Sequence, residues 1–523
     1  MHYFSLHRLW SALLTLGRAG ALQTLGSVPW LGIFMAGSSV FAQTAGKQPS
    51  ERDAVNSRPT KDVTVVESAS VPFGTVVAFG DEVRAKLKDA MYPRIERFPL
   101  SRDKAVDLEL ERFWVTSPGA QFVVGTDQGD RPLSPPDVAL FKGEVAGQPD
   151  SRVFLSVRPD GSNGFVYLNG EEFVISNLKG KRAGLPANSH LVFSRADTKP
   201  FAPQAAFDCE ALTPPGQVEE VATELATVAT VVTRQANVAF DCDYEFRQMF
   251  ANLAEATAYV IELAGAVSTI YEDDIAMRLN ASFIRVWDTA ADPYVATNTS
   301  GALEELRTHW NSTMTSVPRN TVHMLSGKNS GGGIAYVNQM CGGQYAYGVS
   351  GSLNGTFPTP IHDADWGNWD LIVVAHELGH NFRSPHTHCY NPPVDQCYSG
   401  GGGSCWSGAT VCQQGTIMSY CHVCGGLDNI DLTFGPTVSS YIQGGLQACI
   451  GTVSVASLVY VDWRNAGPES GSVTQPYNTV TEGLSNVVSA GTVSIASGGY
   501  SEEMTISQPV TLTATGGAVS IGQ

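Results

Sequence analysis

Residues 369–388 read WDLIVVAHELGHNFRSPHTH, and the interpretation of the whole chain turns on them. Leu371, Val374, Ala375 and Leu378 fall three and four apart, the spacing of an apolar helix face. His376 and His380 stand four apart, so on that helix they lie about 40° apart and about one turn along the axis. Both imidazoles can then reach one ion, with Zn–N distances of about 2.0–2.1 Å. Glu377 lies about 100° round the helix from His376. It cannot easily share the inner sphere, but it can reach a water on the metal, the position a general base needs. On a continued helix His386 would stand about 9 Å beyond His380. For it to ligate, the chain must stop and double back. Pro385 favours that, because it disfavours α geometry at Ser384 and cannot itself continue the helix. His376, His380 and His386 then meet the need of a catalytic zinc for three protein ligands and one open place. His388 is left as a bystander. The plainer alternative is a helix that merely carries two histidines beside a disulfide-rich loop.

The surrounding chain favours the first reading. Its 523 residues allow two to four domains. Basic residues number 32 against 50 acidic ones, leaving no surplus of positive charge for nucleic acid or an anionic membrane. The last basic residue near the start is Arg18, and no charge follows until Lys47. Between them, VPWLGIFMAGSSVFA (28–42) is too short to span a bilayer comfortably and ends in small residues suited to cleavage. Residues 1–42 are therefore expected to be a signal peptide, and the protein secreted. The ten cysteines agree, because six of them crowd between Cys389 and Cys424 among Gly and Ser, as disulfide staples would. Cys421-His-Val-Cys424 also admits a zinc-ribbon half or a redox pair.

Six segments are expected. After the signal, 43–70 reads as a flexible segment and 71–194 as a β-rich unit, with Pro-Asp-Gly and Asn-Gly turns between apolar runs. Residues 195–235 read as a linker and processing region. From 236 to 450 strand and helix alternate, giving a mixed α/β domain with a helix over about 244–271 and strands near 275–287, 321–327 and 331–340. Residues 451–523 form a β-rich C-terminal module, read as a small β domain or the start of a β-solenoid. The fold class is thus a mixed α/β multidomain protein.

His376-Glu377-x-x-His380-x-x-x-x-x-His386, followed by Gly415-Thr416-Ile417-Met418-Ser419-Tyr420, resembles the metzincin metalloproteases. It is most similar to the reprolysin-like (adamalysin-like) branch and its bacterial secreted members, over about residues 236–450. The resemblance implies a twisted mixed sheet with an active-site helix, and one catalytic zinc on His376, His380 and His386. It implies Glu377 as the activator of water and Met418 in a turn beneath the metal. Residues 332–337 would be the edge strand that pairs with a bound peptide, and 71–194 a propeptide. Tyr420 would either ligate zinc and steady an oxyanion or simply pack on the site's floor. Cys209 would either silence the metal as a latency thiolate or pair with Cys242.

The sequence departs from the family pattern at Arg383, where glycine is usual, and at Thr387, where reprolysins usually carry aspartate. The tail, from YVDWRNAGPESGSVTQPYNTVTEGL onward, resembles the opening coils of a pectate-lyase-type β-helix. That implies polysaccharide or cell-surface contact. The expected activity is a zinc metalloendopeptidase made as a precursor and acting on proteins or peptides. The alternative is a weakened zinc-binding adhesion protein on the same fold. Nothing in the sequence points to calcium.

Overall fold

The computed structural model describes residues 63–66, 73–90, 93–117, 119–178, 185, 188–197, 209–217, 222, 234–341, 343–356, 368–452, 456, 458–469, 471–488, 491–502, 504, 506 and 509–522. The expected signal peptide and most of 43–70 and 195–235 lie outside them.

The N-terminal part supplies β1 (Val63–Val65), β2 (Thr75–Phe79), helix α1 (Asp81–Asp89), β3 (Arg94–Pro99) and β4 (Ala105–Phe113). It continues through β5 (Gln121–Gly125), β6 (Arg131–Pro132), β7 (Ala139–Val145), β8 (Gln148–Arg158), β9 (Gly161–Leu168), β10 (Glu171–Asn177) and β11 (Ser189–Ser194). Nine of these form an antiparallel sheet in the order β1-β2-β11-β10-β9-β8-β7-β4-β3. Asn169-Gly170 joins β9 to β10 with φ of 54° and 80°. A two-residue type I′ hairpin requires positive φ at both positions, which Asn and Gly tolerate best. Val77, Phe79, Phe98, Phe141 and Leu155 pack on one face with Val83 and Leu87 of α1.

Two expectations are corrected here. The segment 43–70 is not flexible throughout, because Val63–Val65 pairs with Val77–Phe79. Nor is 71–194 a unit closed on itself, because β5 and β6 leave it and join the next sheet.

The second sheet runs β12-β16-β17-β15-β13-β14-β5-β6, with a further strand on β13. Its remaining strands are β12 (Glu210–Leu212), β13 (Arg234–Cys242), β14 (Met277–Trp287), β15 (Thr321–Leu325), β16 (Gly333–Tyr336) and β17 (Tyr347–Ser350). Between β13 and β14 come α2 (Tyr244–Gln248) and α3 (Leu253–Ile275), where a single helix was expected. The chain breaks because Asn252 adopts extended geometry and its side chain accepts from Glu255 N, starting a new helix. Helix α3 is long and apolar enough to cross a membrane, yet its apolar window is 83% buried within the fold. It lies between β14 and the β7–β8 face of the first sheet. Helix α4 (Thr299–Thr313) covers the opposite side. There the buried Asp241 carboxylate accepts from Arg285, Trp287, Tyr294 and Trp310, binding β13, β14 and α4 together.

Helix α5 (Trp369–Asn381) carries the histidines and packs on β16 and β17. After it come β18 (Gly415–Thr416), β19 (Ile430–Asp431), α6 (Gly435–Gly444) and β20 (Gly451–Thr452). This irregular stretch is stapled by Cys389–Cys405, Cys397–Cys421 and Cys412–Cys424, and Cys341–Cys449 ties β20's approach to the sheet. Cys421 and Cys424 thus go to different partners, so neither a redox pair nor a ribbon forms. Cys209 and Cys242 are both buried and form no disulfide with each other.

The tail has β21 (Leu458–Val461), α7 (Val480–Ser485), β22 (Gly491–Tyr500) and β23 (Val510–Ile521). Its three strands pair in parallel over a small apolar core of their own.

Candidate active site

Helix α5 is held rigidly before any chemistry is considered. At its start the buried Asp370 carboxylate accepts from the backbone N–H of Asn354 and Gly355 and from the Tyr259 hydroxyl at 2.7 Å. Burial pushes that carboxyl from 3.8 up to about 7. At its end the Asn381 amide donates to the carbonyls of Tyr336 and Tyr347, both at 3.0 Å, and accepts from the Thr321 hydroxyl. In the middle Tyr271 donates to the Ala375 carbonyl.

The turn after α5 is a Schellman motif. Ser384 N–H reaches the Gly379 carbonyl at 3.0 Å and Arg383 N–H the His380 carbonyl at 2.8 Å. Arg383 occupies the position that favours glycine, with φ 99°. Left-handed backbone at a non-glycine residue costs about 1–2 kcal/mol. Three contacts offset it. The guanidinium stacks 4.1 Å over the Tyr441 ring, donates to the Tyr441 carbonyl at 3.2 Å, and lies against Gly445, where a Cβ would be 1.9 Å from Nη1. The turn therefore keeps its geometry without glycine, and Pro385 carries the chain back to His386.

His376 Nδ1 lies 2.6 Å from the Ile417 carbonyl and His380 Nδ1 2.6 Å from the Ser384 carbonyl. A carbonyl only accepts, so each Nδ1 carries the hydrogen and each neutral ring offers a bare Nε2. His380 Nε2 is 3.1 Å from His376 Nε2 and 3.2 Å from His386 Nε2. Burial lowers the basicity of all three rings, taking His380 to about 4, so no imidazolium bridges His376 and His380 near neutral pH. Facing acceptors at that separation call for a shared cation. Ligands at about 2.0–2.1 Å from a tetrahedral zinc stand about 3.3–3.4 Å apart, so the trio fits that ion.

Beneath the trio lies Met418, fully buried. A Cβ at Gly379 would come within 2.5 Å of Met418 Sδ, so the glycine of His-Glu-Leu-Gly-His admits the methionine against the helix. Thr387 donates from its N–H and hydroxyl to the Met418 carbonyl, at 3.0 and 3.2 Å, fastening this turn to the third histidine. Glu377 faces β16, and a Cβ at Gly333 would lie 2.3 Å from its Oε1. Burial raises the Glu377 carboxyl well above the usual range, with a smaller lowering effect from the nearby Cys209 thiol.

Cys209 is the other arrival at this site. Its sulfur lies within 4.8 Å of ring and carboxylate ligand atoms of His376 and Glu377. The residues after it, β12, pair in parallel with β16, and Val337 N–H bonds the Leu212 carbonyl at 2.9 Å. The Tyr420 hydroxyl donates to the Cys209 carbonyl while its ring stands 4.4 Å from that of His386. His388 stacks on His386, 5.5 Å between centroids, and contributes to no trio with His376 and His380. A cleft of about 380 Å³ opens alongside, lined by Leu212, Val337, Arg383, His386, Tyr420 and Tyr441 among others.

Sequence spacing pointed to the histidines and Glu377, and the family resemblance to Met418. It missed Asp370, Asn381 and Gly333, whose partners are remote in the chain, and gave no register for β12.

The family model Reprolysin_5, described as Metallo-peptidase family M12, matches residues 232–430. Among solved structures, metalloproteinase-II from Bacteroides fragilis is similar at 10% identity, covering 69% of this chain and 91% of that chain, with a TM-score of 0.34. A chaperone-substrate complex is similar at 14% identity over 42% of this chain and 36% of that one, with a TM-score of 0.26. No curated protein matches the chain. The match takes in β13 to β17 and the histidine helix, so this region of the chain is similar to the reprolysin-like metallopeptidases of family M12.

Proposed function

We propose that the protein is a secreted, zinc-dependent endopeptidase made as a precursor, with His376, His380 and His386 as zinc ligands and Glu377 as general base. The observation that carries this is the convergence of three imidazole Nε2 atoms, two of them bare, beside a buried carboxylate that faces β16. Zinc held there supplies Lewis acidity, which lowers the pKa of bound water to about 7 and polarises a carbonyl.

The chain's own groups do the rest. Backbone groups of β16 hold an extended peptide, and the close approach at Gly333 brings that peptide beside Glu377. A Glu377 oxygen takes the proton of the attacking water and passes it to the leaving amine. Tyr420 packs on the histidines, its hydroxyl engaged by Cys209.

Latency follows from β12. It lies along β16, where a substrate would pair, and Cys209 lies beside the ligand atoms. A thiolate there would take the open zinc position, so activation requires β12 to leave. The apolar run before residue 43 and the disulfide staples favour export.

The test is direct. The processed chain should carry about one zinc per molecule and degrade casein, and a chelator should remove both properties. A processed chain that holds zinc yet cuts neither protein nor a peptide library would sink the proposal.

A further inference from the structure

The N-terminal β unit is joined to the catalytic region by three kinds of contact. Its strand β5 continues the central sheet, pairing in parallel with β14 from Phe283↔Gln121 to Trp287↔Gly125. Its side chains enter the catalytic core, where Phe122, Leu140 and Phe154 share one buried cluster with Val260, Leu263 and Ile284. Leu140 also fits against Gly265, where a Cβ would lie 2.5 Å from Leu140 Cδ1. The third kind is buried charge. Glu262, fully buried in α3, receives Arg158 at 2.8 Å, Asn163 Nδ2 at 2.8 Å and the Ser156 hydroxyl. Lys142 also pairs with the buried Glu272, and nearer the surface Arg152 pairs with Asp273 and Asp274 and Arg195 with Asp431.

Such an interface resembles a domain core cut in half, the mark of obligate rather than transient association. Removing the unit would bare the apolar flank of α3 and leave β14 as an open sheet edge. Breaking a buried pair from one side is also unfavourable, because it strips an acid of the cation placed to meet it.

We propose that a cut between Leu212 and Arg234 does not release the N-terminal β unit, so that the working peptidase is a two-chain molecule. On this view β5 is a permanent strand of the catalytic sheet, and only the residues around β12 leave the active site. The inference rests on the precursor reading for the position of the cut, whereas the association itself needs no activity.

The test uses the full chain carrying Glu377→Gln, which prevents self-digestion, with a site-specific protease sequence placed at 223–230. After cutting, a denaturing gel should show two fragments. Size exclusion should show both at the volume of the intact chain, including at about 1 M salt, where the Debye length is about 3 Å. Amides of 283–288 should keep their hydrogen-exchange protection. Elution of the N-terminal fragment by itself at either salt, or loss of that protection, overturns the proposal. Glu262→Gln in the same cut chain should lower the urea concentration at which the fragments part. An unchanged midpoint removes Glu262 as an anchor of the interface. If the fragments stay together but cutting the otherwise native chain never raises activity, the precursor reading fails and this one stands.

Discussion

The central sheet is covered at its two ends by segments that precede it in the chain, and the two covers differ in kind. At β16 the cover is β12, three residue pairs long, with Glu210 exposed and Ala211 and Leu212 half-buried. At β14 the cover is β5, five pairs long, with its unit's side chains inside the catalytic core and its cations on buried acids. A short strand with little apolar burial opens at modest free-energy cost, whereas one continuous with a core opens only when the core does. On the proposed reading, the β16 edge is the one to be vacated and the β14 edge the one to stay closed.

The largest effect expected from challenging this contrast comes at Glu377, which faces the β16 edge. Glu377→Gln should lower peptide hydrolysis by about 10²–10⁴-fold while zinc content by metal analysis stays unchanged. Activity retained within a factor of a few would remove Glu377 as the base, and with it the meaning given to that edge.

Next is the latch itself. In the uncut chain Cys209→Ser should raise cleavage of a fluorogenic peptide by about tenfold, equivalent to about 1.4 kcal/mol. No gain would mean that β12 is held by more than its thiol, narrowing the difference between the two covers.

A smaller effect concerns the start of α5. The Asp370 carboxyl is raised by burial from 3.8 to about 7. Its folded value lies above its unfolded one, so its stabilising contribution is fully present below about pH 4 and is lost as pH rises through about 7. The melting-temperature difference, wild type minus Asp370→Asn, should shrink between about pH 4 and about pH 8. A difference that grows with pH would reverse the assignment.

The smallest concerns Arg383. Arg383→Gly relieves about 1–2 kcal/mol of backbone strain but loses a cation–π contact worth about 0.5–2 kcal/mol and a hydrogen bond worth about 1 kcal/mol. The changes nearly cancel, so stability to urea should move by less than about 1 kcal/mol and zinc affinity little. A large loss of zinc would show that the arginine clamp, rather than the Schellman turn, sets the position of His386.

Much of the metal centre was legible because helical periodicity is local. Residues four apart on a helix share a face, and Pro385 disallows the alternative in which His386 runs on. Met418 came through resemblance, and its contact with Gly379 shows why those two residue types go together. The break at Asn252 was less visible, because Phe250, Leu253 and Val260 keep helical spacing across it.

What spacing could not supply was partnership at long range. The apolar run Phe122-Val123-Val124 suits a strand without saying which sheet it joins. Cys209 and Cys242 likewise invited pairing by parity, although one faces Glu377 and the other ends a core strand. From its residues alone the chain declares the histidine trio, the glutamate beside it and the turn, since each follows from the geometry of a few consecutive peptides. Which strand closes which edge, and which acid meets which cation, follows from folding. Those pairings are decided by the burial of surfaces that no short window of sequence contains.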